Sequence, residues 1–458
     1  MSRQRLFGTD GVRGVANIEL TARLAMQLGA AAGHWAAKGV PHGRDGKPCV
    51  IIGRDTRLSG DMLEAAIAAG LASMGVDVIN VDVVPTPAVA QIVLAKGAAA
   101  GIVISASHNP FEDNGIKLFG PNGKKLPDSV EDEIEEIMGR LAEIDPPTGG
   151  GIGRIHETRE PVQCYLERVE RTAGGREAAP LRGLSLVMDC ANGAAYEVAP
   201  RLFRELGADV RVIHAEPDGV NINVECGSTR PAEMARMVVD SGASAGLAFD
   251  GDADRVMLAD ERGAIVDGDR MMAILAMDLH ARGALPGAVV VSTIMSNVGL
   301  EQALAADGIR LHRTDVGDRY VAEAMDRLGA AVGGEQSGHI LLPELTPTGD
   351  GLVTALHVLR VMRATGRTLS ELASVVTSCP QLLKSVRVRS KVGWREDEAI
   401  RGAIARGQER LGSAEWLSVR ASGTEPLIRV MAQGTDEAMV HSVVNDICGI
   451  IEARLGAE

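Results

Sequence analysis

Aromatic side chains are scarce: Trp, Tyr and Phe make up 2% of the 458 residues. That shortage excludes the stacking platforms on which single-stranded nucleic acids are bound, and it leaves the cores to aliphatic packing. Positive charge is short as well. The 47 Lys plus Arg face 61 Asp plus Glu, a net charge of −14, and nucleic-acid backbones and anionic membranes repel such a surface. The 6 cysteines (Cys49, Cys164, Cys190, Cys226, Cys379, Cys448) show no CxxC spacing, which argues against a disulfide framework and a zinc knuckle and fits a reducing cytoplasm. No stretch reaches the ~18 apolar residues of a spanning helix. The arginines within Met1 to Gly14 are not followed by an apolar run, so neither export nor membrane insertion is expected.

What remains is the composition of a globular protein, 45% hydrophobic and 24% charged, in a chain too long for one core. At ~100 to 150 residues per domain, three or four domains are expected. An apolar strand, a polar loop, an alanine-rich or amphipathic helix, a glycine and a second apolar strand recur three times, over Cys49 to Asp82, Leu184 to His214 and Gly287 to Asp315. Such units build parallel sheets with crossover helices. An amphipathic helix carrying Ile134, Ile137, Met138 and Leu141 on one face precedes Asp145 to Arg154, DPPTGGGIGR, whose prolines and glycines predict a domain boundary. Beyond about Val375 the pattern becomes strands at Val386 to Lys391, Trp416 to Arg420 and Leu427 to Ala432, followed by a helix from Glu437 to Leu455, a smaller α+β domain.

Five polar, glycine-rich segments interrupt this pattern. In GIVISASHNPFEDNGIKLFG, Gly101 to Gly120, an apolar strand delivers Ser105, Ser107, His108 and Asn109 to a loop, with Lys117 beyond it. A neutral serine hydroxyl carries a phosphoryl group only with an acid/base partner or a metal, which makes Ser107 the candidate carrier and His108 and Lys117 its helpers. In AGLAFDGDADRV, Ala245 to Val256, the alternation of Asp250, Asp252 and Asp254 puts three carboxylates on one face of an extended chain. Each pair at ~4 Å repels by about 4 kcal/mol at an effective dielectric near 20, which a hard divalent cation, Mg²⁺, would relieve. An EF-hand loop is rejected because Arg255 stands where that loop needs glycine.

RASGTEPLIRV, Arg420 to Val430, offers Ser422, Gly423 and Thr424 between two guanidinium forks, Arg420 and Arg429, a composition suited to a phosphate monoester and lacking Walker A spacing. VGGEQSGHI, Val332 to Ile340, presents Glu335, Ser337 and His339 for sugar hydroxyls or an amino group, and FGTDGVRG, Phe7 to Gly14, sets Arg13 in a loop from which a cation could reach a transferring phosphoryl group. Any one of these is ordinary turn chemistry; five at strand ends in this order are not.

In that order, SASHNP, DGDADR, GEQSGH and ASGTEP resemble the phosphoserine, metal, sugar and phosphate loops of the α-D-phosphohexomutase superfamily, over nearly the whole chain. Gln336 within GEQSGH, with FGTDGVRG and DVGDRYV (Asp315 to Val321), is similar to its bacterial branch acting on glucosamine phosphates. The resemblance implies an α/β fold of three related mixed α/β domains (1–150, 151–258, 259–373) plus a smaller C-terminal α+β domain (374–458) around a central cleft. It implies a cytoplasmic bacterial enzyme that interconverts glucosamine 6-phosphate and glucosamine 1-phosphate on the route to UDP-N-acetylglucosamine. Ser107 would carry the phosphoryl group and complete the metal site, with His108, Lys117, Arg13 and Arg255 beside it; Mg²⁺ and a glucosamine 1,6-bisphosphate primer and intermediate are the implied cofactors. The implied partner is a small phosphosugar, not nucleic acid or membrane, and a homodimer is compatible with it.

Two positions depart from the superfamily's pattern. Ala253 stands where relatives mostly have glycine, so it either keeps ordinary φ or strains the loop by roughly 1 to 2 kcal/mol. Gln433 stands where many have glutamate. The rival activities are a mutase of mannose or glucose phosphates and, in another class, a phosphosugar-binding regulator without turnover.

Overall fold

The computed structural model describes residues 5–8, 10–38, 46–422 and 425–456. It divides into two compact units, Met1–Asp278 with Ser337–Ala373 and Leu279–Gln336 with Ser374–Glu458.

Two of the sheets formed by the described residues lie in the first unit. One has six strands in the order Val12–Val15, Asp113–Phe119, Ala100–Ile104, Cys49–Arg54, Asp77–Val83 and Ile155–Glu157. Cys49–Arg54 pairs in parallel with both Asp77–Val83 and Ala100–Ile104, with helix Ser59–Ser73 as the crossover the first repeat predicts. The continuous apolar run Val50, Ile51, Ile52 reflects burial on both faces. Val50, Ile52, Ile102, Ile104, Ile116 and Leu118 share a core with helices Ala22–Ala37, Ser59–Ser73 and Asp128–Gly139, whereas Gly53 and Gly101 lie against Val89 of helix Thr86–Lys96 on the opposite face. Asp113–Phe119 runs antiparallel to Ala100–Ile104, which sets Lys117 opposite Val103. The second sheet orders Ile265–Val266, Val256–Ala259, Ala245–Phe249, Ser185–Asp189 and Asp209–Ile213, the last three strands parallel.

In the second unit Val289–Thr293 pairs in parallel with Arg310–Thr314 and Val332–Gly334, and helix Val298–Ala306 is the third crossover. Gln381–Arg387, Leu427–Gln433 and Leu417–Ala421 form an antiparallel sheet packed on helices Glu398–Leu411 and Glu437–Leu455.

Two expectations move. Ile155–Glu157, beyond the glycine-rich boundary, still joins the first sheet beside Asp77–Val83. The strand expected at Val386 to Lys391 ends at Arg387 and starts at Gln381, because its register is set by all seven residues of Leu427–Gln433; Gln381 to Ser385 lack clean alternation, being an edge with Leu383 exposed.

Candidate active site

Ala100–Ile104 is a fully buried strand, and the chain leaves it through Ser105 and Ala106 to place Ser107 at φ +54°, a left-handed conformation that costs a serine on the order of 1 kcal/mol. The surroundings hold it there. Ser105 Oγ donates to Asp55 Oδ2 at 2.6 Å and accepts from Ser107 N at 2.9 Å. The guanidinium of Arg57, fully buried, donates to the carbonyls of Ser107 (2.9 Å), Asn109 (2.9 Å), Asp113 (3.1 Å) and Pro110, and pairs with Asp55 at 2.9 Å. Asn223 Nδ2 donates to the carbonyls of Ser107 and Asn109. Burial raises Asp55, and Arg57 opposes that shift.

The acidic loop follows strand Ala245–Phe249. Gly251 is required there: a Cβ would come within 2.5 Å of the Ser107 carbonyl oxygen. Asp250, Asp252 and Asp254 are buried, and one oxygen of each lies within 4.8 Å of the others. Ser107 Oγ donates to Asp250 Oδ2 at 2.6 Å. Burial, then the charges of Asp254 and Asp252, hold Asp250 well above the usual carboxylate range. Burial alone would raise Asp254 too, but His339, Lys117 and Arg255 bring it below that range. Ala253 takes φ +55°, so the loop carries the mild strain that an alanine there implies.

Lys117 is also buried. Its ammonium lies 2.8 Å from Asp252 Oδ2, 3.3 Å from Asp10 and 3.7 Å from Asp254. Desolvation would push it down, but Asp10, Asp252 and Asp254 outweigh that and raise it above the ordinary lysine value. It is therefore a fixed cation. Thr86 Oγ1 donates to Asp252 Oδ2 at 2.7 Å. Asp252 Oδ1 and Asp254 Oδ1 remain buried without a hydrogen bond from any described residue. Leaving such an oxygen unpaired costs ~1 to 3 kcal/mol or more, and two hard donors in this state, with the Asp250 carboxylate beside them, fit a divalent cation taking oxygen ligands.

His108 Nδ1 lies 3.3 Å from Ser107 Oγ. Burial, then the charges of Arg255 and Arg13, push its imidazole down to about 4, so it is neutral at pH 7 and able to accept a proton. Arg13 pairs with Asp10, which also pairs with Lys125. His339, buried, stands 3.5 Å from Asp254 Oδ1. Ser337 belongs to the same unit, and Glu335 to the other.

In the second unit Arg420 and Arg429 are directly opposed on adjacent strands. Burial, then the charge of Arg429, lower Arg420; like charges placed so call for an anion. Arg429 is held by Glu425 at 3.1 Å, Ser422 Oγ accepts from Glu425 N, and Lys391 Nζ donates to the Ser422 carbonyl at 2.7 Å. Gly423 and Thr424 lie outside the described residues. Buried Gln433 accepts from Val298 N at 2.9 Å and donates to Ser296 O at 3.0 Å, both within this unit. A carboxylate could serve the first contact and would repel the second.

The sequence reading found the acids, serine and arginines. It missed Arg57, Thr86, Asn223 and Asp10. Arg57 sits in the first repeat and Asp10 in FGTDGVRG, but neither has anything in its local spacing to mark what it holds.

Four segments of the chain match phosphoglucomutase/phosphomannomutase: alpha/beta/alpha domains I (residues 4–145), II (163–263) and III (267–379), and the C-terminal domain (383–450). The chain belongs to this family. Its relatives include proteins named phosphoglucosamine mutase from Moorella thermoacetica, 51% identical over 96% of this chain and 97% of the relative, and from Mesorhizobium japonicum, 50% identical over 98% and 99%. Among solved structures, a phosphoglucomutase/phosphomannomutase family protein from Burkholderia thailandensis superposes with TM-score 0.80 over 100% of both chains at 24% identity. N-acetylphosphoglucosamine mutase of Aspergillus fumigatus, solved with GlcNAc-6P and magnesium, superposes with TM-score 0.65 at 19% identity over 98% of this chain and 95% of that one. These two likenesses speak to the phosphohexomutase fold. No helix among the described residues is long and apolar enough to cross a membrane.

Proposed function

We propose that this chain interconverts glucosamine 6-phosphate and glucosamine 1-phosphate in the bacterial cytoplasm, through phosphorylated Ser107 and a glucosamine 1,6-bisphosphate that also serves as primer. The observation that carries the reading is the Ser107 hydroxyl 2.6 Å from Asp250, in a buried acid cluster with unpaired oxygens. Relatives near 50% identity over almost the full chain support the amino-sugar substrate.

Asp250, Asp252, Asp254 and Ser107 are the residues that would hold Mg²⁺, which when bound supplies charge neutralisation to a phosphoryl group on Ser107. The magnesium bound to the Aspergillus fumigatus protein supports that choice of ion. Arg57 and Asn223 fix the loop backbone, so the serine oxygen meets the substrate in one orientation. Neutral His108 takes the proton of the attacking sugar hydroxyl or returns one to it, while Lys117, Arg13 and Arg255 stabilise charge on the transferring group. Glu335, Ser337 and His339 bind the sugar face, and Arg420, Ser422, Gly423, Thr424 and Arg429 grip the phosphate that is not reacting. The bisphosphate then reverses end for end and returns its other phosphate to Ser107. On this reading the chain divides near residues 150, 258 and 373.

Intact-mass analysis of the purified protein should show one added phosphate, absent from Ser107→Ala. Turnover of glucosamine 6-phosphate, primed with the bisphosphate, should exceed that of glucose and mannose phosphates. An unmodified wild type that turns over fully without primer would sink the phosphoserine mechanism, and preference for a neutral hexose phosphate would sink the substrate.

A further inference from the structure

A second cluster of ligating side chains lies in the first unit, and the mutase chemistry does not use it. Asp189 ends strand Ser185–Asp189, His214 follows its parallel neighbour Asp209–Ile213, and Cys226 lies in the segment between Asn223 and Ser228. One oxygen, nitrogen or sulfur atom of each lies within 4.8 Å of the others. Asp189 and Cys226 are fully buried. Asp189 accepts from Ala191 N and Gly227 N, one bond on each oxygen, which leaves each a further lone pair.

The histidine is the informative member. Its Nδ1 lies 3.2 Å from Asp189 Oδ1 and Nε2 stands 3.4 Å from Glu233 Oε2. One ring nitrogen thus faces the cluster and the other faces a carboxylate from outside, the arrangement that orients metal-bound histidines. The charges that bear on Cys226 are those of Asp189, Glu233 and Glu225, all negative.

We propose that Asp189, His214 and Cys226 bind a divalent transition metal of the zinc class, separately from the acids around Ser107. A thiolate, an imidazole and a carboxylate form a donor set for a borderline-soft ion, whereas three carboxylates suit a hard one. With its proton on, the buried thiol is inert, and a metal takes that proton's place. The site would act as a staple. Asn223, three residues before Cys226, donates to the Ser107 and Asn109 carbonyls at 2.9 and 3.2 Å, so fixing this segment fixes the serine loop.

The test uses the full chain, stripped with a chelator, given saturating Mg²⁺ to fill the hard site, and titrated with Co²⁺. A near-ultraviolet thiolate-to-cobalt absorption band saturating at one equivalent and displaced by Zn²⁺ is expected. The acids around Ser107 contain no sulfur and cannot produce it. Cys226→Ser should lack the band while keeping a native circular dichroism spectrum. Should that variant fail to fold, His214→Asn should bind Co²⁺ roughly 100-fold more weakly than wild type. A folded wild type without the band, a band that survives Cys226→Ser, or unchanged affinity in His214→Asn overturns the proposal.

Discussion

Two regions crowd like charges, in opposite settings. Around Ser107 three carboxylates meet in the interior, and Lys117 and Thr86 satisfy some of their oxygens while Asp252 Oδ1 and Asp254 Oδ1 accept no hydrogen bond from the described residues. In the second unit two guanidiniums meet across antiparallel strands, with Arg429 34% exposed and leaning on Glu425. The acids cannot relax into water, and the single ammonium of Lys117 offsets only part of their mutual repulsion. The arginines can, so theirs is screened and their preference for an anion is the weaker. The buried cluster is therefore suited to stabilising the changing charge of the reaction, and the half-open pair to holding a phosphate that does not change.

The largest effect should come from breaking the buried side. Asp252→Ala removes one carboxylate and a partner of Lys117, and should lower kcat by roughly 10³-fold or more, a barrier increase of about 4 kcal/mol, while circular dichroism stays native. Normal turnover in that variant would remove the acid cluster from the mechanism. On the open side, Arg429→Met should instead raise KM by about ten- to a hundredfold, the loss of one charge-assisted bond of ~1.5 to 3 kcal/mol, with kcat changed much less. An equal fall in kcat would mean that the two regions do not divide the labour in this way.

The smallest effect measures what burial alone costs a carboxylate. Asp350 caps helix Gly351–Thr365 through Leu352 N and Val353 N and accepts from Tyr165 Oη, and burial raises it to about 6. A carboxyl whose folded pKa lies above its unfolded ~3.9 binds protons more tightly when folded. Its contribution is therefore most favourable below pH ~4 and is lost as pH rises through 6, by on the order of 2 kcal/mol. Asp350→Asn keeps an accepting oxygen and should flatten stability between pH 4 and 6, as read by chemical denaturation. An unchanged slope would show that another group produces it.

The crossover units were legible because their signals are local: an apolar run such as Val50 to Ile52, a helix, a glycine, a second strand. The motifs named Ser107, the three aspartates and the arginine pair from neighbours in the chain. Arg57 was not legible as a clamp, since the carbonyls it holds begin 50 residues away at Ser107, and a buried arginine looks in sequence like a solvated one. The strand Gln381–Arg387 was misplaced because an edge takes its register from its partner, and Gln433 made no sense until Val298 and Ser296 lay against it.

Covalent order alone determined which elements form and which chemical groups stand at their ends, because hydrophobic period, turn residues and charge act over a few positions. Tertiary structure decided which groups meet. Ser107 and Asp250 are 143 residues apart, and only the packing that carries Gly251 onto the Ser107 carbonyl makes them partners. The same packing decides which carboxylate oxygens meet a donor and which do not, because burial confines them to the side chains packed against them.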